Sequence, residues 1–155
     1  MLAVGDVAPP FALRDQDGIE WTLADLNDRP LLLAFYPADG TPGCTTQACD
    51  IRDRWDEFSA LGVRVVGISP DDVATHADFA REHGLPQTLL ADPEHTVLEA
   101  YGAWGEKVLY GRTSIGVIRS SVLIGADGRV LKVWRRAQAR THAERALKAC
   151  KELVG

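Results

Sequence analysis

Three short, largely apolar runs limit what this chain can fold into. They are Pro30-Leu31-Leu32-Leu33-Ala34-Phe35-Tyr36, Val63 to Ile68 and Thr88 to Ala91. A run of this length with no polar alternation reads as a strand covered on both faces. Stretches of helical period separate the runs. Ala48, Ile51, Trp55, Phe58 and Leu61 recur every three or four residues and form one face. Asp71 to His83 reads as a second helix. Asp92-Pro93 predicts a third, with Asp92 as cap, Pro93 in the first turn and Gly102 closing it. Strands alternating with helices imply an α/β fold with a mostly parallel central sheet and helices on both faces.

Hairpins at both ends make the sheet mixed. At the N-terminus Phe11-Ala12-Leu13 and Ile19-Glu20-Trp21 flank a turn that ends in Asp17-Gly18. Later, Ser120 to Ile124 and Val130 to Arg135 flank Gly125-Ala126-Asp127-Gly128. Thr141 and Glu144 fit a capping box for a last helix running through Leu153. Ala103 to Ile118 has no clean period and reads as a long loop. The 155 residues suit one domain over 1–155, large enough to bury a core without disulfides or a structural metal.

Composition excludes several classes. Seventeen Lys+Arg against 22 Asp+Glu give a net charge of −5. Without a basic run, that argues against general nucleic-acid binding. No apolar stretch approaches the ~20 residues of a membrane span. Met1 to Pro10 lacks a basic region followed by an apolar one, so no secretory signal is read.

The three cysteines carry the chemistry. Cys44 lies in Thr41-Pro42-Gly43-Cys44, just after the first buried strand and at the start of a helix. Loops at the carboxyl ends of strands are where α/β folds build sites. With Thr41 as N-cap and Pro42 as first residue, Cys44 falls in the first turn, where unpaired N–H groups and the helix dipole favour an anion. A thiol at its ordinary pKa is only about 3% ionised at pH 7, so such help would turn it into a nucleophile. The plain alternative is a packing cysteine near a helix start.

Cys49 stands five residues on. On an ideal helix that is roughly 8.7 Å between Cα atoms, beyond the about 4.4–6.8 Å of a disulfide. The two can bond only if the helix opens. The spacing also departs from Cys-x-x-Cys. Cys150 lies on the stripe Ala143, Leu147, Cys150, Val154 and reads as core packing. His76, His83, His95 and His142 are scattered, and no metal set is read from them.

Pro37, Thr41 and Cys44 match the pattern Pro-x-x-x-Thr-x-x-Cys of the peroxiredoxins. The longer stretch from Phe35-Tyr36-Pro37 through Cys49-Asp50 to Arg52-Asp53 resembles the bacterioferritin-comigratory-protein subfamily, also called peroxiredoxin Q. So do Gly67-Ile68-Ser69-Pro70-Asp71, Tyr101 to Lys107 and Arg119 to Ile124. The resemblance implies a thioredoxin-like fold and a thiol peroxidase for hydrogen peroxide and organic hydroperoxides. It implies Cys44 as the attacking thiolate and Cys49 as its resolving partner in an intramolecular disulfide. Thr41 and Arg119 would bind the peroxide and the sulfur, Pro37 would shield the pocket, and Gly43 would offer its N–H. No cofactor and no metal are implied. The implied partner is thioredoxin or a glutaredoxin-type dithiol, and the implied state is a cytoplasmic monomer, with a dimer as alternative. A protein thiol–disulfide oxidoreductase and a redox-sensing binding module are the competing readings. Ala38, Gln47 and Gly125 depart from residues common in the subfamily. Trp104 and Tyr110 fall in the unassigned loop, as pocket-mouth aromatics or as packing.

Overall fold

The structure, a computed structural model, describes residues 2–154. The N-terminal hairpin is β1 (Ala12–Arg14) and β2 (Glu20–Thr22), followed by α1 (Leu23–Leu26). The central run is β3 (Leu31–Phe35), α2 (Pro42–Asp53), α3 (Trp55–Ala60), β4 (Arg64–Ser69), α4 (Val73–His83), β5 (Thr88–Ala91) and α5 (Thr96–Ala100). Next come β6 (Trp104–Leu109), β7 (Arg112–Val117), β8 (Ser120–Ile124), β9 (Val130–Trp134) and α6 (His142–Leu153). Among the described residues, seven strands form one mixed sheet in the order β2-β1-β5-β4-β3-β8-β9. β3, β4 and β5 are parallel, whereas β8 runs antiparallel to β3.

Both faces of the central strands are covered, which is why their sequences do not alternate. Leu31, Leu33 and Phe35 join Val66, Ile68, Val122 and Ile124 in one core, with Leu26 of α1 and Leu98 of α5. The intervening Leu32, Val65 and Leu123 face a second core with Ile51, Phe58, Leu147 and Cys150 of α2, α3 and α6. No helix of the described residues is long and apolar enough to cross a membrane.

Four expectations need correction. The helix read through Leu61 breaks at Arg54 (φ −105°, ψ 12°), giving α2 and α3. The apolar spacing is the same on both sides, so periodicity does not register the break. The helix expected at Asp92-Pro93 starts at Thr96, after His95 at φ 50°. Asp92 still serves that helix, because its Oδ2 accepts the N–H of Leu98 at 2.9 Å. Thr141 occupies the N-cap of α6 but makes no side-chain cap bond, so the capping box with Glu144 does not form.

The fourth correction is the largest. Ala103 to Ile118 contains a regular antiparallel hairpin, β6 paired to β7 from Trp104↔Val117 to Leu109↔Arg112. Its turn places Tyr110 and Gly111 at φ 53° and 75°, the left-handed pair of a tight hairpin. The hairpin pairs only with itself and leaves Val108 and Ile115 exposed. Burial is confined to its base, where Val117 and Trp104 meet the core, and so short a buried stretch leaves no hydrophobic period to read. Trp104 stacks on His95 with centroids 3.9 Å apart, whereas Tyr110 is 96% exposed at the tip.

Phe58 is fully buried where α3 meets the sheet and α6. Phe58→Ala is expected to cost about 3–5 kcal/mol, measured by urea denaturation, because the site is walled by strands that cannot collapse into the gap.

Candidate active site

The site begins at the carboxyl end of β3. Tyr36 extends that strand by donating its N–H to Ile68 O at 3.1 Å. Its ring lies against Gly67, where an added Cβ would stand 3.0 Å from the ring. Burial and then the charge of Asp39 hold the Tyr36 phenol well above its usual pKa. It therefore remains a donor, and it bonds Asp39 Oδ1 at 2.6 Å.

Asp39 is the anchor of the loop before α2. Its N–H donates to Asp71 Oδ2 (2.7 Å), and Ser69 Oγ donates to the same oxygen (2.6 Å). Asp39 Oδ2 lies 2.5 Å from Nδ1 of the buried His76. The other ring nitrogen faces the Leu90 carbonyl at 3.0 Å, which can only accept. Nε2 therefore donates to that carbonyl, and Nδ1 faces the Asp39 carboxylate. Asp39, Asp71 and His76 bring their ligand-type atoms within 4.8 Å of one another, a convergence that scattered sequence positions do not announce. Of these atoms, His76 Nδ1 and Asp39 Oδ2 are bonded to each other, and the other partners are Tyr36, Ser69, the Leu90 carbonyl and the Asp39 N–H.

From this anchor the chain enters α2 through Thr41 and Pro42, with Pro42 at the first position as expected. Thr41 sits at the N-cap (φ −71°, ψ 150°) but makes no cap bond, contrary to its expected capping role. Its hydroxyl donates to the Ala38 carbonyl at 2.9 Å. Cys44 is the third residue of the helix and is buried. Pro42 has no N–H, so Gly43 and Cys44 supply the first-turn donors without partners inside the helix.

Arg119 reaches this point from the start of β8. Its Nη2 donates to Cys44 Sγ at 3.2 Å, and its Nη1 donates to Gln47 Oε1. An added Cβ at Gly43 would stand 3.3 Å from Nη2, so the glycine leaves room for the guanidinium. A cleft of about 250 Å³ opens beside it, lined by Pro37, Lys107, Val108, Ile118, Arg119 and Arg136 among others. Pro37, Thr41, Gly43, Cys44 and Arg119 thus gather at one place. The β6–β7 hairpin forms one wall of the cleft beside them.

Cys49 is partly exposed on the same intact α2, and all three cysteines are free thiols. Cys150 is fully buried, and burial pushes its thiol up to about 11. His142 is also buried. Burial, with the charge of Arg119 second, pulls its pKa down to about 4, and its Nε2 lies 2.5 Å from Ser121 Oγ. The sequence reading did not single out Asp39, Asp71 or His142 at the site. Asp39 carried one signal, a position inside the peroxiredoxin-like loop.

The chain and its fold are similar to those of known proteins. The AhpC/TSA family profile matches residues 4–133. Peroxiredoxin Bcp of Escherichia coli is 44% identical over 151 residues, covering 97% of each chain. A putative peroxiredoxin of Mycobacterium tuberculosis is 47% identical over 141 residues, 91% of this chain and 90% of the other. The bacterioferritin comigratory protein of Xanthomonas campestris, whose structures address alkyl peroxide reduction, superposes with TM-score 0.88. It is 31% identical, over 94% of this chain and 92% of that one.

Two outcomes follow from the burial of Cys150 and His142. Iodoacetamide at pH 8 should leave Cys150 unmodified in the native protein and label all three cysteines after denaturation, read by peptide mass spectrometry. Below an unfolded value near 6.5, the unfolded chain takes up a proton that the folded His142 refuses. Stability should therefore fall as pH drops from about 6.5 towards 4, by up to about 1.4 kcal/mol per pH unit. Denaturation midpoints of His142→Gln, compared with wild type across that window, should lack this component.

Proposed function

The chain belongs to the AhpC/TSA family, in its bacterioferritin-comigratory-protein (peroxiredoxin Q) branch, and is a thiol peroxidase; we propose that Cys44 is the residue that meets the peroxide. The observation that carries this reading is the Arg119 Nη2–Cys44 Sγ contact of 3.2 Å at the first turn of α2. A guanidinium and a helix N-terminus both favour the thiolate over the thiol.

The thiolate attacks one oxygen of the hydroperoxide. The O–O bond breaks, the sulfur becomes a sulfenic acid, and the other oxygen leaves as alcohol or water after taking up a proton. Charge builds on that leaving oxygen, and fixed donors nearby lower the barrier. Arg119 and the N–H groups of Gly43 and Cys44 supply them. Thr41 adds its hydroxyl by swinging from the Ala38 carbonyl onto the peroxide. Pro37 closes one side of the cleft against water.

Cys49 then resolves the sulfenic acid. Its thiol displaces water from the Cys44 sulfur and forms an intramolecular disulfide, after α2 opens between the two residues. A thioredoxin-type dithiol reduces that disulfide by exchange. Resolution within one chain needs no second subunit, which supports a monomer. A cycle that must return Cys44 to the thiol suits the cytoplasm.

The test is peroxide consumption coupled to thioredoxin and its reductase. Cys44→Ser should abolish it. Cys49→Ser should consume one equivalent of peroxide and then stall. Arg119→Met should slow the first step by about 10²–10³-fold. Mass spectrometry after one equivalent of peroxide should show Cys44 linked to Cys49. A link to Cys150, or full activity in Cys44→Ser, overturns the assignment.

A further inference from the structure

A second polar contact grips α2, and the reaction as proposed does not use it. Gln87 lies just before β5 and is only 1% exposed. Its Nε2 donates to the Ala48 carbonyl at 3.0 Å. Ala48 lies between Gln47, which holds Arg119, and Cys49. The root of Gln87 is itself fastened. Gln16 Nε2 donates to the Gln87 carbonyl (3.1 Å), and the Leu89 N–H donates to Gln16 Oε1 (2.9 Å). The middle of α2 is thus tied to the sheet by a side chain whose backbone has little freedom to follow it.

The tie is also incomplete. Gln87 Oε1 and Gln47 Nε2 are buried without a protein partner. Both residues line one small cavity of about 10 Å³ beside Cys44, Tyr36 and Ala48, space for a single water. Each buried amide thus makes only part of its bonding to protein groups, and the cavity is where the rest would be met. A single side-chain hydrogen bond holds α2 less firmly than apolar packing would, which suits a helix that opens during each cycle.

We propose that Gln87 is a positioning residue, clamping α2 through the Ala48 carbonyl and so setting how fast Cys49 reaches an oxidised Cys44. The proposal rests on the reading that Cys49 resolves Cys44. The sulfenic acid has two fates. Condensation with the Cys49 thiol forms an S–S bond and releases water. Alternatively, a second hydroperoxide transfers an oxygen to the sulfenate, giving a sulfinate and an alcohol or water. Only the first fate requires α2 to open, and opening withdraws the Ala48 carbonyl from Gln87. The clamp therefore slows resolution while leaving the geometry for peroxide capture in place.

The experiment is a single turnover of the full chain, acid-quenched, alkylated and read by intact mass. It compares wild type with Gln87→Met and Gln87→Asn. Methionine matches the length without the amide, and asparagine keeps an amide too short to reach. Thiol capture should stay within about twofold of wild type in both. Disulfide formation should accelerate by about two- to tenfold, the weight of one net hydrogen bond. The sulfinate formed under excess peroxide should fall by a similar factor. Hydrogen exchange on the reduced protein should show lost protection in α2 alone. Unchanged or slower disulfide formation in variants that form the Cys44–Cys49 bond overturns the clamp. Protection lost equally in α2, α4 and β5 also overturns it, by showing a merely structural residue. A wild type that forms no Cys44–Cys49 bond overturns the reading of Cys49, and the clamp with it.

Discussion

The contact between the Arg119 guanidinium and the Cys44 sulfur organises this molecule. It joins residues 75 positions apart, and the sheet register alone makes it possible. β8 runs antiparallel to β3 with Phe35 opposite Ser120. The residue before β8 therefore lies level with the residue after β3. Arg119 is delivered to the loop that ends in α2, and Gly43 leaves room for it to lie against the helix start. A parallel β8 would have placed Arg119 at the opposite end of β3, away from α2.

The thiolate reading also needs a helix start that stays where it is. The loop from Pro37 to Thr41 carries no strand pairing, so its position depends on side chains. Asp39 supplies that position, bonded through one carboxylate to Tyr36 and His76 and through its N–H to Asp71. These partners come from β3, α4 and the β4–α4 turn. Buried polar groups are costly unless paired, and this network pairs nearly all of its own. The result is a rigid base on which the first turn of α2 presents its donors.

Beyond that base, the proposed cycle sets α2 two opposed needs. As a closed helix it holds Cys44 against Arg119 and keeps Cys49 about one and a half turns away. As an opened segment it would let the two sulfurs meet. Its contacts fit a helix of intermediate strength. Ile51 packs into the second core and Ala48 against Phe79, while polar ties at Gln47 and the Ala48 carbonyl do the rest. Fewer apolar anchors at its first turns than at its end would direct opening towards Cys44.

Much of this was legible along the chain. The apolar runs specified β3, β4 and β5, because strands buried on both faces leave no other pattern. Pro42 and the local spacing put Cys44 in a first turn, and helix geometry alone separated it from Cys49. The stripe around Cys150 located that thiol in the core. Other features were invisible for physical reasons. The β6–β7 hairpin is buried only at its base, around Trp104 and Val117, so it leaves no period in the sequence. Thr41 and Thr141 stand at N-caps without capping, since a hydroxyl's choice of partner depends on neighbours that only packing supplies. The meeting of Arg119 with Cys44, of His76 with Asp39 and of Gln87 with the Ala48 carbonyl required the strand order and register. Local propensity is written in neighbouring residues, whereas long-range pairing is decided by which faces the whole sheet brings together.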